Sequence, residues 1–174
     1  MNNTKNIILT GFMGTGKSTV GKKVADHLGC PFIDTDDLIE EKAGMSIADI
    51  FAEQGEPYFR ALERQVIDCV CRDTGKVIAT GGGAMTIEEN ARRLRESGTV
   101  ICLTAAPEII LSRVRNNMDR PLLQSEDPLG KIVALLTARA EAYAKADIII
   151  DTSRFGIDET VAAVCCRLEK NVRA

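Results

Sequence analysis

Residues 7–18 read Ile-Ile-Leu-Thr-Gly-Phe-Met-Gly-Thr-Gly-Lys-Ser, and this stretch decides the fold. Its last eight residues, Gly11–Ser18, match the complete phosphate-loop pattern G-x-x-x-x-G-K-[ST]. The apolar run Ile7–Leu9 predicts a strand before the loop, and the segment Lys17–Leu28 predicts a helix after it. A phosphate loop requires this strand–loop–helix context, so the pattern indicates a nucleoside triphosphate site rather than a chance glycine-rich turn.

The chemistry of a phosphate loop assigns roles to its residues. Glycines let backbone N–H groups turn toward phosphate oxygens, and the helix N-terminus adds positive potential. Lys17 can reach the β- and γ-phosphates, which makes it a candidate catalytic residue, and the Ser18 hydroxyl can join a Mg²⁺ shell. The predicted nucleotide-binding residues of the loop are Gly14, Thr15, Gly16, Lys17, Ser18 and Thr19.

Length and composition favour a small cytoplasmic enzyme. A chain of 174 residues with 45% hydrophobic residues suits one domain over residues 1–174. The formal net charge is −3, whereas nucleic-acid-binding domains are typically basic, so we expect no nucleic-acid partner. No signal-peptide pattern and no apolar run of about 18 residues is evident, so we expect no membrane partner. We also expect a monomer.

The cysteines and the histidine show no metal-ligand pattern. The six cysteines lack C-x-x-C or paired ligand spacing, so we interpret them as small core residues in a reducing compartment. His27, the only histidine, is expected near the surface end of the first helix.

Five short apolar runs alternate with amphipathic segments. The predicted strands are Asn6–Thr10, Pro31–Asp34, Lys76–Ala79, Thr99–Leu103 and Ile148–Asp151. Beyond the first helix, the predicted helices include Glu56–Arg72, Glu88–Glu96, Glu108–Arg115, Leu129–Ala144 and Asp158–Lys170. Continuous apolar strands are typical of a sheet covered on both faces, so the fold class is a three-layer α/β/α domain with a five-stranded parallel sheet.

Polar residues follow two of these strands. Asp34-Thr35-Asp36-Asp37 ends the second strand, and Thr80-Gly81-Gly82-Gly83 ends the third. Ligands of open parallel sheets bind beyond the carboxyl ends of the strands, which is also where the phosphate loop lies. Asp36 or Asp37 is a candidate helix N-cap and the glycines could form a tight turn, but three consecutive glycines favour close approach of a ligand to the backbone.

Several motifs in order along the chain resemble those of the shikimate kinase family. They are G-F-M-G-T-G-K-S-T at 11–19, D-T-D at 34–36, S-I-A-D-I-F at 46–51, F-R-A-L-E at 59–63, T-G-G-G-A at 80–84, R-P-L-L at 120–123 and R-A-E-A-Y at 139–143. The resemblance implies a P-loop fold like that of nucleoside monophosphate kinases. It also implies MgATP-dependent phosphorylation of the shikimate 3-hydroxyl, giving shikimate 3-phosphate and ADP.

The resemblance assigns roles on the nucleotide side of the site. Ser18 and Asp34 would serve Mg²⁺, Asp34 through water, and Arg113 would lie near the adenine of ATP. Arg120 would be a catalytic and ATP-binding residue that reaches over the phosphates from a mobile lid. The polar stretch Asn116–Asp127 is the predicted lid.

On the acceptor side, the resemblance implies that Asp36 contacts the reacting hydroxyl as a catalytic residue. Arg60 and Arg139 would hold the shikimate carboxylate, which suits the planar fork of a guanidinium. The backbone of Gly81, Gly82 and Gly83 would lie against the substrate. Glu63, three residues after Arg60, is expected to orient it, although the two could simply form a surface pair.

Two departures from the family pattern leave questions open. The loop at residues 151–156 lacks the proline often found there, so the adenine contacts of this segment are not settled. The third strand ends in Ala79-Thr80 rather than in the usual metal-binding aspartate, which leaves Asp34 as its replacement.

Two other functions fit parts of the pattern. A gluconate kinase would also bind a carboxylate and hydroxyls. A GTP-binding switch is suggested by Asn116-Asn117-Met118-Asp119, which resembles the guanine-reading N-K-x-D motif but has asparagine where lysine belongs. The D-x-x-G sequence Asp127–Gly130 follows this segment instead of preceding it, which argues against a switch.

Overall fold

The computed structural model describes residues 5–115 and 126–172, and its centre is a five-stranded sheet. The strand pairings are parallel, and the order across the sheet is β2-β3-β1-β4-β5. The strands are β1 (Asn6–Thr10), β2 (Phe32–Asp34), β3 (Val77–Ala79), β4 (Gly98–Thr104) and β5 (Ile148–Asp151). The parallel sheet expected from the continuous apolar runs is therefore confirmed.

Helices cover both faces of this sheet. They are α1 (Lys17–Leu28), α2 (Thr35–Ala43), α3 (Ile47–Asp49), α4 (Glu56–Val70), α5 (Glu88–Ser97), α6 (Pro107–Val114), α7 (Pro128–Ala144) and α8 (Ile157–Val172). A π-helical turn, Ile50–Gln54, joins α3 to α4, and a 3₁₀ turn, Ala84–Thr86, follows the glycines after β3. The predicted helix bounds agree with the structure within two residues. A helix after the second strand was expected without bounds, with Asp36 or Asp37 as its cap, and it is α2, whereas α3 was not predicted.

Alternation along β1 divides the core into two layers. Ile8 packs with Ile78 and with apolar residues of α4 and α5 on one face. Ile7 and Leu9 pack on the other face with Val24 of α1 and its neighbours. Side chains of successive strand residues point to opposite faces, so a strand that is apolar throughout needs helices on both sides.

Strand register brings the carboxyl ends together. Leu9 and Asp34 both pair with Ala79, so the residues that follow β1, β2 and β3 emerge side by side at one edge of the sheet. This edge carries the phosphate loop and the glycines of residues 81–83.

The cysteine prediction is only partly correct. All six are free thiols, and Cys71 and Cys102 are buried. Cys69 and Cys166 are exposed, because an amphipathic helix buries only one face against the sheet. His27 is exposed in the last turn of α1, as expected.

No helix within residues 5–115 and 126–172 combines the length and the apolar character needed to cross a membrane.

Candidate active site

Backbone geometry that requires glycine shapes the phosphate loop. Gly11, Gly14 and Gly16 have φ values of 132°, 74° and 94°, a region that other residues rarely adopt. A side chain at Gly11 would also collide with the carbonyl oxygen of Leu103 in β4. The loop is further closed by Thr15 Oγ1, which donates to the Phe12 carbonyl at 2.7 Å.

Three of the predicted loop residues lie at the N-terminus of α1. Lys17 Nζ donates to the Phe12 carbonyl oxygen at 3.0 Å, which folds the ammonium group back over the loop. Ser18 Oγ donates to Asp34 Oδ2 at 2.6 Å and so joins the phosphate loop to the end of β2. Thr19 is exposed in the first turn of the helix.

Asp34 is the N-cap of α2, which corrects the expectation that Asp36 or Asp37 caps this helix. Its Oδ1 accepts the backbone N–H of Asp36 at 3.0 Å, while its Oδ2 accepts from Ser18. The helix begins directly at Thr35, without a loop after the strand, so the last strand residue is the one placed to cap it. Asp37 is exposed, but partial desolvation of its carboxylate and the nearby negative charge of Asp34 raise its pKa.

The glycines Gly81–Gly83, called the triple-glycine segment below, lie against the charged residues predicted to bind substrate. A Cβ atom at Gly81 would stand 2.8 Å from Asp36 Oδ1 and 3.3 Å from Glu63 Oε1. Cβ atoms at Gly82 and Gly83 would stand 3.1 Å from a guanidinium nitrogen of Arg139 and 2.9 Å from one of Arg60, respectively. Each glycine thus leaves room for a different charged group, and these groups come from three separate helices.

Arg60 is held by two carboxylates on its own helix, α4. Its Nη1 donates to Glu63 Oε2 at 2.8 Å, and its Nε and Nη2 both donate to Glu56 Oε1 at 3.1 Å. Glu63 is a buried residue with a side chain only 1% exposed. Burial raises the pKa of Glu63, an effect that Arg60 opposes. Burial by itself lowers the pKa of Arg60, but its carboxylate partners raise it overall, so the guanidinium stays charged.

Arg139 reaches the same place from α7. Its guanidinium carbon lies 5.3 Å from the centre of the Phe12 ring, so the arginine stacks on a residue of the phosphate loop. One turn later on α7, the Tyr143 hydroxyl donates to the Gly82 carbonyl oxygen at 2.7 Å. Arg139 therefore touches both halves of the site.

Arg113, at the end of α6, lies between the phosphate loop and the loop that follows β5. Its Nη2 donates to the Thr152 carbonyl at 2.7 Å and its Nη1 to Thr152 Oγ1 at 2.9 Å. The Nη1 atom also lies 3.4 Å from the Gly14 carbonyl oxygen. Thr152 is itself buried and fixed by its Oγ1 bond to the Thr104 carbonyl, so the guanidinium has a rigid support.

The structure thus brings most predicted site residues to one edge of the sheet. Arg120 and residues 116–125 of the predicted lid lie outside the described residues. Of that segment, Glu126 and Asp127 are described, and Asp127 caps α7 by accepting the Gly130 N–H. Sequence reasoning overlooked four residues that support the site. They are Thr35, whose Oγ1 accepts the Gly81 N–H, and Glu56, Tyr143 and Thr152, whose bonds are given above. Thr35 and Tyr143 belong to the quoted motifs D-T-D and R-A-E-A-Y, which was the available signal.

Fold and site together define the class of protein. The phosphate loop lies on the same edge of the sheet as a cluster of two carboxylates, Asp36 and Glu63, and two arginines, Arg60 and Arg139. The Arg60 side chain is 23% exposed. This arrangement is that of a P-loop kinase for a small anionic acceptor.

The comparisons with known proteins identify the family. The shikimate kinase family model matches residues 13–169. A shikimate kinase of Geobacter sulfurreducens is 49% identical over 92% of this chain and 88% of its own length, and one of Caldanaerobacter subterraneus is 51% identical over 92% and 94%. The structure of Acinetobacter baumannii shikimate kinase in complex with shikimate superposes with a TM-score of 0.92 at 36% identity, covering 97% of this chain and 95% of that one. The chain belongs to the shikimate kinase family, which consists of ATP-dependent phosphotransferases.

Proposed function

We propose that this enzyme transfers the γ-phosphoryl group of MgATP to the 3-hydroxyl of shikimate, with ATP on the phosphate loop and shikimate against the triple-glycine segment. The observation that carries the proposal is that Asp36, Arg139 and Arg60 lie so close to Gly81, Gly82 and Gly83 that a Cβ atom at any of these glycines would crowd them. Shikimate is a small carboxylate with several hydroxyls. It therefore needs cations for one end and a proton acceptor for the other, which is what these residues supply.

Arg60 and Arg139 hold the carboxylate of shikimate in this proposal. A guanidinium donates two parallel N–H bonds to a carboxylate, and both guanidinium groups border the triple-glycine segment. Glu63 orients Arg60 by accepting a hydrogen bond from its Nη1. Its other oxygen, Oε1, is buried and accepts no hydrogen bond within the described residues, although it borders Gly81. Buried acceptors normally have a hydrogen-bond partner, which supports the proposal that a hydroxyl of the substrate donates to Glu63 Oε1.

Asp36 acts on the reacting hydroxyl. Its carboxylate borders Gly81 at the carboxyl end of β2, on the same edge as the phosphate loop. An acidic residue in this place orients the acceptor hydroxyl and accepts its proton as the phosphoryl group arrives. The remaining demand of the reaction is positioning and charge neutralisation, which Lys17 supplies on the phosphates.

The nucleotide lies along α1 and α6 in this proposal. Backbone N–H groups of Gly14, Thr15 and Gly16 surround its phosphates, with Thr19 following at the helix N-terminus. Arg113, fixed by Thr152, lies near the base. A role for Arg120 over the phosphates stays a prediction from the family resemblance.

Ser18 and Asp34 fit the Mg²⁺ that accompanies ATP. Mg²⁺ takes one or two carboxylates, and phosphate oxygens and water complete its shell. The described residues contain no group of three or more His, Cys, Asp or Glu that could hold a metal alone, whereas Ser18 Oγ and Asp34 Oδ2 offer two oxygens 2.6 Å apart beside the loop. When bound, the metal neutralises negative charge on the transferring group. The family resemblance implies that Asp34 would act through water, while its other oxygen, Oδ1, accepts the Asp36 N–H at the start of α2.

An acceptor panel tests the proposal. ADP release is measured by a coupled assay with shikimate, gluconate, AMP or no acceptor, each with and without EDTA. We expect turnover with shikimate alone and its loss when EDTA removes Mg²⁺. Equal or faster turnover with gluconate would contradict the substrate, and turnover in EDTA would contradict the metal.

A cytoplasmic, monomeric enzyme stays the expectation for its location and assembly. Light scattering of the eluted peak in size-exclusion chromatography checks the monomer, and a mass near twice 18.9 kDa would contradict it.

A further inference from the structure

Tyr143 is buried on α7 behind the triple-glycine segment, and the functions assigned above leave it unused. It is 6% exposed and packs in a cluster with Phe12, Cys102, Ile110 and Ile132. Burial raises the pKa of its hydroxyl, so the phenol stays protonated and remains a donor at neutral pH. That donor is used: it bonds the Gly82 carbonyl oxygen at 2.7 Å.

Glycine segments need external anchors, because a residue without Cβ has wide conformational freedom. The two ends of the triple-glycine segment are anchored by threonines. The Gly81 N–H donates to Thr35 Oγ1 at 3.2 Å, and Thr86 Oγ1 donates to the Gly83 carbonyl oxygen at 2.6 Å. The middle of the segment is anchored by Tyr143.

This middle anchor controls an orientation. A peptide unit is planar, and the described chain has no cis peptide bond. The Gly82 carbonyl and the Gly83 N–H therefore point in opposite directions from one rigid plane. Holding the carbonyl on the α7 side aims the Gly83 N–H away from α7, and the same bond sets the distance between Gly82 and Arg139.

Arg139 lies one helical turn before Tyr143, so the tyrosine joins the arginine to the glycines. A Cβ at Gly82 would stand 3.1 Å from Arg139 Nη1 and 3.3 Å from the Gly11 carbonyl oxygen. Gly82 is thus confined between α7 and the phosphate loop, with Phe12 beneath the guanidinium.

We propose that Tyr143 is a positioning residue for the acceptor: its hydroxyl, bonded to the Gly82 carbonyl, sets the spacing of Arg139 and the triple-glycine segment and so determines affinity for shikimate. The proposal rests on the proposed function, which places shikimate against these residues. Tyr143 does not touch the reacting atoms, so its effect falls on acceptor binding rather than on phosphoryl transfer.

Tyr143→Phe tests this role, and Tyr58→Phe is the matched control. The chain has two tyrosines, and Tyr58 is exposed on α4. In Tyr143→Phe we expect KM for shikimate to rise about tenfold, or about 1.4 kcal/mol of binding free energy, because Arg139 and the triple-glycine segment lose their set spacing. We expect kcat to change by less than about twofold and KM for ATP to stay unchanged, because the phosphate side keeps its contacts. Tyr58→Phe should match the wild type in KM for shikimate, in kcat and in KM for ATP.

A binding measurement and a double-mutant cycle distinguish this positioning role from a merely structural one. Calorimetric titration of shikimate without nucleotide should show the same weakening of Kd. A double-mutant cycle with Arg139→Lys should be less than additive in KM for shikimate, since both changes disturb one arrangement. A lowered melting temperature with unchanged KM for shikimate, or equal rises in both KM values, would overturn the proposal, as would full additivity. The proposed function is tested separately on the wild-type protein, and absence of turnover with shikimate would contradict it.

Discussion

The phosphate loop and the proposed acceptor site share one edge of the sheet but are built in opposite ways. The loop is a run of eight residues, Gly11–Ser18, whose shape comes from glycine backbone conformations. Its proposed phosphate-binding groups are mostly backbone N–H groups. The proposed acceptor site takes Asp36 from α2, Arg60 from α4 and Arg139 from α7, and its glycines leave room for these side chains. A contiguous site tolerates changes elsewhere, whereas an assembled site depends on every contact that positions its parts.

Among substitutions in these two regions, Lys17→Ala should have the largest effect. In the proposed function Lys17 compensates phosphate charge, and it is not a core residue, so we expect turnover to be nearly abolished while circular dichroism stays that of the wild type. Lys23→Ala is the control on the same helix, because Lys23 forms an exposed ion pair with Asp158. Retention of more than about a tenth of wild-type kcat/KM, which is a loss of less than about 1.4 kcal/mol of stabilisation, would contradict the role of Lys17.

Asp36→Asn should come next, with kcat reduced about 10²–10⁴-fold, the range typical of a lost general base. Binding of ATP, measured by titration, should be nearly unchanged because the carboxylate borders the triple-glycine segment. Asp37→Asn should stay near the wild type, since Asp37 is exposed. An inactive Asp37→Asn with an active Asp36→Asn would place the reacting carboxylate one residue later.

Arg60→Lys and Arg139→Lys should each raise KM for shikimate by about tenfold or more, because charged hydrogen bonds contribute about 1.5–3 kcal/mol and lysine cannot donate in a planar fork. KM for ATP should change much less. The two variants should differ in melting temperature: Arg60→Lys disturbs the partner of buried Glu63 and should lower it more than Arg139→Lys. Equal losses for shikimate and ATP would instead indicate a folding defect.

Glu63→Gln gives the smallest and most specific effect, on the pH dependence of stability. Burial raises the folded-state pKa of Glu63 above its ordinary value of 4.5, so the folded protein binds this proton more tightly than the unfolded chain does. Binding of this proton stabilises the folded state fully when the pH is below 4.5, the ordinary pKa of the unfolded chain. The stabilisation is lost as the pH rises through the folded-state pKa of Glu63. Denaturant melts should therefore show Glu63→Gln gaining stability relative to wild type as the pH rises through that window. A pH-independent difference would contradict this assignment.

The strands and the phosphate loop could be predicted from local sequence patterns. The strand runs were predictable because strands buried on both faces must be apolar along their length, as Ile7, Ile8 and Leu9 are. The phosphate loop was predictable because its glycines and Lys17 lie within one short run of sequence. In α2 and α3 the pattern is weak: α2 buries only Thr35 and Ile39, and α3 is three residues long, so periodicity gave no signal there.

Contacts between distant segments could not be read in advance. The bonds of Arg113 to Thr152 and of Tyr143 to Gly82 span 39 and 61 residues along the chain. The role of Asp34 as a cap was missed for a different reason: α2 starts with no intervening loop, and the start residue of a helix is set by backbone geometry.

By itself, the amino-acid order determined the sheet, the phosphate loop and the residue types that a carboxylate-bearing acceptor needs, because these depend on neighbours in the chain. The tertiary structure alone decided which charges meet. Parallel register aligned the ends of β1, β2 and β3, and helix packing then brought Arg60, Glu63 and Arg139 against three glycines. Distances of a few ångströms between groups far apart in sequence result from packing of the whole core, and no local pattern encodes them.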